Sequence, residues 1–163
     1  MGSARKSLLK NLLNWTPAAL GVAIIAVESS ASMSSDNTSH WLLPIWVYLF
    51  GPISAGHWAQ VHHLIRKTGH FSGYGLLSVA FFHGWRSSLP AGWKVPLLWR
   101  RAAALAVFST LLVAIADEYH QSFLPNRTSS PLDVGLDLCG AIAAELLVLA
   151  IMPLIARSGT LRT

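Results

Sequence analysis

Long apolar runs separated by short polar stretches dominate this chain. Four of them cover approximately residues 12–27, 70–85, 102–116 and 134–155. A helix that crosses a membrane needs about 20 mostly apolar residues, with a range of about 17–25. The second and third runs reach that length only if their polar flanks enter the membrane interface. The pattern predicts an all-α integral membrane protein, a bundle of about four transmembrane helices.

The composition agrees with this class. Hydrophobic residues make up 53% of the 163 residues and charged residues only 12%, with a mean hydropathy of +0.48, which is more apolar than a soluble domain. The formal net charge of +5 comes from short basic clusters beside the apolar runs, without a basic stripe interleaved with aromatic residues. We therefore expect membrane lipid as a partner and no nucleic acid. The sole cysteine, Cys139, excludes an intrachain disulfide.

The first apolar run has two interpretations. Basic residues precede it and Ser29-Ser30-Ala31 follows it, as in a signal peptide with a small-residue cleavage site. Its length, with Trp15 and Pro17 inside it, favours a permanent membrane anchor. Removal of this run would leave the sidedness of the remaining spans unchanged.

The segment Trp41–Gly56 decides the topology. Pro44, Gly51 and Pro52 interrupt it, and its tryptophan and tyrosine content is typical of an interfacial or re-entrant piece. The alternative is a fifth span, which would reverse the orientation of every later span.

The distribution of the 12 lysines and arginines separates these alternatives. If the segment stays on the outer surface, the cytoplasmic residues are Arg5, Lys6, Lys10, Arg86, Lys94, Arg100, Arg101, Arg157 and Arg162. Only Arg66, Lys67 and Arg127 then lie outside, whereas a fifth span would divide the basic residues equally. The positive-inside rule favours the first arrangement. We expect a transmembrane unit of residues 12–156, with cytoplasmic ends at 1–11 and 157–163.

Polar residues collect on the extracytoplasmic side of this arrangement. Ionisable groups at a membrane edge are costly to desolvate, so such a cluster indicates a functional site. The candidate catalytic residues are His70, Asp117, Glu118 and Asp133. The candidate substrate-binding residues are Lys67, Tyr74, Gln121, Arg127 and Asp137.

Spacing supports convergence of these side chains. Lys67, His70 and Tyr74 are three and four residues apart, so a helix places them on one face. Asp117 and Gln121 are four apart, as are Asp133 and Asp137. The adjacent carboxylates Asp117 and Glu118 repel each other at a low-dielectric boundary, which favours a function over simple packing.

Arg127 lies in a short loop that Pro125 and Pro131 restrict. Its guanidinium could bridge carboxylates or keep its fork free for a phosphate. The alternative is structural, because a network of Arg127 with Asp133 could simply satisfy the helix ends of a small bundle.

Metal binding is not favoured by the histidine pattern. His57, His62, His63 and His120 could combine with the acids, but no HxxxH or HExxH spacing is present. We expect no metal site and no cofactor.

Two features concern packing within the bundle. Glu145, in the fourth run, is expected to face the interior and to reach Ser109 or His83. Small residues predict close helix contacts. These are Gly69, Gly73, Gly75, Gly140 and Ala144.

Two motifs carry a resemblance to a known family. They are Lys67-x-x-His70-Phe71-x-x-Tyr74-x-x-Leu77 and Asp117-Glu118-x-x-Gln121-x-Phe123-x-Pro125-x-Arg127, followed by Asp133 and Gly140. Over residues 67–145 the chain resembles the VanZ-like family, named for a teicoplanin-resistance protein. The resemblance implies a small multi-span protein of the cell envelope that acts on or recognises an envelope component or a glycopeptide. Asp137 departs from the asparagine expected in the family, and the resemblance implies no particular reaction.

A second, shorter similarity is to membrane phosphatidic-acid-type phosphatases. Thr68-Gly69-His70 is similar to their SGH motif, and Arg127-x5-Asp133-x3-Asp137 is similar to Arg-x5-His-x3-Asp. It implies that Arg127 and Lys67 bind phosphate, Asp133 attacks and His70 protonates the leaving group. Asp133 replaces the nucleophilic histidine of that family, and the Lys-x6-Arg-Pro block is absent.

The sequence leaves three functions open. The protein could be an enzyme of phosphoryl chemistry on a lipid-linked substrate, or a binder or transporter of an envelope lipid or antibiotic headgroup. It could also be a structural accessory that docks onto another membrane protein. An oligomer is compatible with each of them.

Overall fold

The computed structural model describes residues 2–90, 92–124, 127 and 129–157, and the last part of the predicted cytoplasmic C-terminus lies outside this set. Within it the chain forms α-helices and no strand. The helices are α1 (Gly2–Glu28), α2 (Ser35–Phe50), α3 (Ala55–Ser88), α4 (Val95–Gln121) and α5 (Pro131–Arg157), with a 3-10 turn at Ala31–Met33. The predicted all-α helical bundle is confirmed.

Helix α3 is the centre of the bundle, because it packs against α1, α4 and α5, while α4 also packs against α5. Its 34 residues correspond to about 50 Å at 1.5 Å per residue, well beyond the ~30 Å hydrocarbon core. Contacts of Lys67 with the start of α5 and of Tyr74 with the end of α4 show where the neighbouring helices end. The first third of α3 therefore extends past the bundle.

Three helical segments are long and apolar enough to cross a membrane: Leu9–Glu28, Val95–Gln121 and Pro131–Ala156. They contain the first, third and fourth predicted spans. The second predicted span, 70–85, lies in the C-terminal part of α3, where histidine, glycine and serine residues lower the mean hydropathy. This fourth crossing stays a prediction.

Helix α2 corrects the prediction that Pro44 breaks the segment 41–56. The helix continues through Pro44 and ends at Gly51, whose φ of 86° is in the left-handed region that favours glycine. A proline removes one backbone hydrogen bond and bends a helix, and flanking helical turns can continue past it. Helix α2 and the first third of α3 form a hairpin, in which Trp58 Nε1 donates a 2.7 Å hydrogen bond to Ser39 Oγ.

The crossing of α3 and α5 depends on two glycines. A Cβ at Gly140 would lie 2.1 Å from the carbonyl oxygen of Phe71, and a Cβ at Gly75 would lie 3.1 Å from the Gly140 carbonyl oxygen. The predicted close contact is confirmed for this pair. It is wrong for Gly69 and Gly73, where no described atom lies within 4 Å of the Cβ position.

The partner predicted for Glu145 is also corrected. Ser78 Oγ donates a 2.8 Å hydrogen bond to Glu145 Oε1 inside the bundle. Ser109 instead accepts a 3.0 Å hydrogen bond from Trp85 Nε1. The rotation of α5 about its axis turns Glu145 toward α3, and a sequence pattern does not contain this angle.

Candidate functional site

A cavity of about 420 Å³ lies between the hairpin, the end of α4 and the start of α5. We call it the polar cavity. Its walls are formed by Ser35, Asp36 and Ser39 of α2, by Trp58, Ala59, His62, His63, Arg66, Lys67 and His70 of α3, and by Gln121, Arg127 and Asp133.

Five of the nine predicted site residues line the polar cavity: Lys67, His70, Gln121, Arg127 and Asp133. The other four, Tyr74, Asp117, Glu118 and Asp137, lie outside its lining. The structure thus separates a group that faces the cavity from a group of buried carboxylates and their partners behind it.

Sequence reasoning missed the half of the cavity that the hairpin contributes. Trp58, His62, Arg66, His70 and Tyr74 follow one another at four-residue intervals, so they form one continuous face of α3. The prediction used only the last part of this run because the second membrane span was expected to begin near residue 70. Extending the four-residue spacing backwards would have found the rest.

The hairpin side of the cavity is held by a ladder of polar contacts. His62 Nε2 and Thr38 Oγ1 share a 3.1 Å hydrogen bond, and the His62 ring stacks on Trp58 at 5.4 Å. Arg66 Nη1 donates to the Met33 carbonyl at 3.1 Å. Burial lowers the pKa of His62, and the neighbouring charge of Arg66 lowers it further.

Lys67 and Asp133 form an ion pair across the cavity, joining α3 to the first turn of α5. The predicted role of Asp133 as an attacking group stays a prediction. In this conformation the ammonium group of Lys67 already occupies one oxygen of the Asp133 carboxylate.

Arg127 does not bridge carboxylates. Its Nη2 donates to the backbone carbonyls of Glu28 and Ser30, the latter at 2.9 Å. The last carbonyls of α1 have no partner within their helix and carry the negative end of the helix dipole, so they attract the guanidinium. Arg127 Nε is buried and makes no hydrogen bond with any described group. Pro125, expected to restrict this loop, lies outside the described residues.

Tyr74, Asp117 and Gln121 form a buried hydrogen-bond network behind the cavity. Tyr74 Oη donates to Asp117 Oδ2 at 2.8 Å, and Gln121 Nε2 donates to the same oxygen at 2.9 Å. The network joins α3 to the last turns of α4. Because donors already satisfy this oxygen, the arrangement can hold the helices together without a ligand.

Glu118 holds the turn before α5. Its Oε2 accepts a 2.8 Å hydrogen bond from the Ser130 backbone N–H, and its own carbonyl accepts a 2.8 Å hydrogen bond from Ser129 Oγ. A carboxylate at a helix N-terminus is also favoured by the helix dipole. The adjacent acids Asp117 and Glu118 therefore point to different partners.

His70 lies between the cavity and a fully buried carboxylate. Its Nδ1 is 3.4 Å from Asp137 Oδ1, and Asp137 is 0% exposed. Neither Asp137 oxygen completes a hydrogen bond with a described group, so its one ion-pair contact in the described residues is with the imidazole of His70. A histidine held between a carboxylate and an open cavity can transfer protons to or from a bound molecule.

In the described part of the chain, no group of three or more His, Cys, Asp or Glu side chains is arranged to hold a metal ion. Three of the four histidines considered from the sequence bind separate partners. His57 pairs with Ser54, His62 with Thr38, and His120 with Ser29, while His63 lines the cavity.

Comparison with known proteins extends the resemblance beyond the motifs. The VanZ/LLP1 family model matches residues 5–153, which include the hairpin and nearly all of α1 and α5. No curated protein and no solved structure matches the chain significantly. Since the match covers nearly the whole length, and three helices are able to cross a membrane, the chain belongs to the VanZ/LLP1 family of helical membrane proteins.

Proposed function

We propose that this protein recognises an anionic component of the cell envelope in the polar cavity, on the extracytoplasmic side of the membrane. The observation that carries the proposal is the charge of the cavity. Arg66, Lys67 and Arg127 line it, against Asp36 and Asp133.

Lys67 and Asp133 neutralise each other, which leaves two guanidinium groups against the single carboxylate of Asp36 in the lining. In the described residues, neither Arg66 nor Arg127 forms an ion pair with a carboxylate. Burial lowers the pKa of both arginines, and Arg66 lowers that of Arg127 further. Two partly desolvated guanidinium groups that no carboxylate contacts directly favour a bound anion.

The chemistry of the guanidinium narrows the class of ligand. Its planar fork suits phosphate or carboxylate oxygens, which it can bind bidentately. His62, His63 and His70 add further donors around the same space. A phosphate-bearing headgroup is the envelope component that this lining suits best.

The extracytoplasmic location of the cavity and the relation to antibiotics are parts of the proposal. The positive-inside distribution supports the location. The family resemblance supports a contribution to glycopeptide tolerance, since such antibiotics act outside the membrane. Expression in a glycopeptide-sensitive bacterium should then raise tolerance to teicoplanin or vancomycin, and Arg66→Gln at equal membrane abundance should remove the gain.

The direct test measures ligand-induced stabilisation of purified protein in detergent. Glycerol phosphate and phosphatidylglycerol should raise the melting temperature, and zwitterionic phosphatidylcholine should not. A ligand at 100 times its Kd stabilises by about 2.7 kcal/mol. Arg66→Gln should abolish the shift while the control Arg86→Gln, at the opposite end of α3, keeps it. Equal shifts with all ligands, or none, would overturn the proposal.

A second candidate is phosphoryl chemistry on the bound headgroup, which the His70–Asp137 contact favours. His70 would act as the acid or base at the cavity floor, with the buried Asp137 stabilising its protonated form. Phosphate release from phosphatidic acid tests this candidate, and His70→Gln should abolish the release while anion binding persists.

A further inference from the structure

We propose that the ligand of the polar cavity is a membrane lipid whose acyl chain leaves the cavity sideways, between α2 and α3. This inference rests on the proposed function and adds the source of the anion. It assigns the chain to a groove that is distinct from the headgroup site.

The groove is a second cavity of about 190 Å³, which shares Arg66, His70 and Arg127 with the polar cavity. Away from these three residues, apolar side chains of the hairpin and its connection to α1 contribute to its walls. They are Met33, Leu42 and Ile65, and Glu28, Thr38 and Gly69 complete the lining. We call it the side groove. The two guanidinium groups outnumber the single carboxylate of Glu28. A space that is net cationic at one end and apolar at the other suits an amphiphile with an anionic headgroup better than it suits a free anion.

The faces of α3 give the chain a path into the membrane. Ile65, Gly69 and Gly73 are four residues apart and form one face, directly beside the face that carries Arg66 and His70. No described atom lies within 4 Å of the Cβ position of Gly69 or Gly73. The strip leads from the cationic residues toward the transmembrane part of α3 and follows α1, because Gly69 and Gly73 also line a narrow space with Ile25 of α1.

The hairpin itself exposes apolar surface next to the groove. Ile45 is 51% exposed and Leu49 is 61% exposed, and both continue the α2 face of Leu42 at intervals of three and four residues. Large exposed apolar side chains are unfavourable in water and indicate a surface that contacts a membrane or a partner. A lipid-facing hairpin would bring the mouth of the side groove within reach of bilayer lipids.

The test compares a lipid with its soluble headgroup. Thermal-shift titrations in detergent would use phosphatidylglycerol with two C16–C18 chains and glycerol phosphate. We expect the lipid to half-saturate at a concentration about 100-fold lower, the gain for burial of roughly three or four methylene groups. If phosphatidylglycerol and glycerol phosphate half-saturate the protein at equal concentrations, the lipid inference is overturned and the proposed function still stands. If neither ligand shifts the melting temperature, the proposed function itself fails.

Gly69→Leu provides the sharpest variant, because the new side chain fills the side groove without meeting backbone. In this variant the half-saturating concentration of the lipid should lie within about threefold of that of glycerol phosphate. The affinity for glycerol phosphate itself should be unchanged. The control is Gly56→Leu, on the same helix and likewise without a described atom within 4 Å of its Cβ position, which should keep the difference.

Ile65→Gln is a second, independent variant in case Gly69→Leu lowers the yield of folded protein. It should reduce lipid affinity and leave glycerol phosphate affinity intact. Its control is Leu64→Gln, one residue earlier, where the side chain is 66% exposed and outside the groove. A wild-type lipid preference in both Gly69→Leu and Ile65→Gln would place the acyl chain elsewhere and overturn the inference.

Discussion

The polar cavity and the buried region beneath it contain similar polar residue types. In the buried region these groups bind one another, whereas in the cavity they face open space. Beneath the cavity, Tyr74 and Gln121 donate to Asp117, and the backbones of α3 and α5 approach closely at Gly75 and Gly140. In the cavity, Arg66 and Arg127 donate hydrogen bonds to backbone carbonyls and form no ion pair with a described carboxylate. The difference teaches that a polar cluster in a membrane protein can contain both a structural network and a binding site. Substitutions should distinguish the two regions. Those in the buried network should lower stability, and those in the polar cavity should lower anion binding.

The largest loss of stability is expected for Gly140→Ala. The new Cβ would lie 2.1 Å from the Phe71 carbonyl oxygen, so α3 and α5 must separate, at a cost of about 3 kcal/mol. Thermal unfolding in detergent measures this effect. Gly135→Ala, on the same helix with no described atom within 4 Å, should be neutral or stabilising by up to about 1 kcal/mol. If the two variants unfold alike, the tight crossing is not a determinant of stability.

A smaller loss is expected for Tyr74→Phe, which removes one donor from the buried Asp117 carboxylate. Leaving a buried acceptor less satisfied costs about 1–3 kcal/mol. Anion binding should be unchanged, because Tyr74 does not line the polar cavity. The control is Tyr48→Phe, at a side chain that is 88% exposed. Loss of anion binding without loss of stability would move Tyr74 into the binding site.

Glu118→Gln should have a smaller effect still. The amide oxygen can continue to accept the Ser130 N–H, so we expect a loss of about 0.5–1 kcal/mol and full anion binding. Because stability and anion binding should be nearly unchanged, cells that express Glu118→Gln should keep their glycopeptide tolerance. The measurement is this tolerance, together with the membrane abundance of the variant. Tolerance that disappears at equal abundance would show that this carboxylate acts in function, against the structural role assigned above.

The pH dependence of stability sharpens the comparison on the hairpin side. Burial and the charge of Arg66 lower the pKa of His62 below its usual 6.5. The unfolded chain therefore binds a proton first as the pH falls below about 6.5, and this histidine makes the folded state less stable from there downward. His62→Gln should reduce this acid sensitivity in melting curves between pH 7 and 5. The exposed His40→Gln is the control, and equal acid sensitivity of His62→Gln and the wild type would contradict the expectation.

The apolar pattern was sufficient for the membrane helices, because burial in lipid requires a long apolar run whatever the neighbouring helices do. It placed spans inside α1, α4 and α5. It was insufficient for the hairpin, where α2 continues through Pro44 and α3 begins at Ala55. Polar residues on a helix that extends past the bundle leave no apolar run to detect.

The site was predicted in part for a similar reason. Helical spacing brought Lys67, His70 and Tyr74 together, since residues three and four apart share a face in any helix. Helical spacing did not predict which residues of other helices these side chains contact. Lys67 joins Asp133 and His70 meets Asp137, contacts that cross from α3 to α5.

The sequence by itself determined the helical membrane character, the family and the end of the bundle where polar residues collect. These properties depend on composition and local spacing. Only the tertiary structure decided which polar groups satisfy one another and which face an open cavity. That outcome depends on how α3, α4 and α5 are rotated and how closely they cross at Gly75 and Gly140, and no single helix specifies those angles.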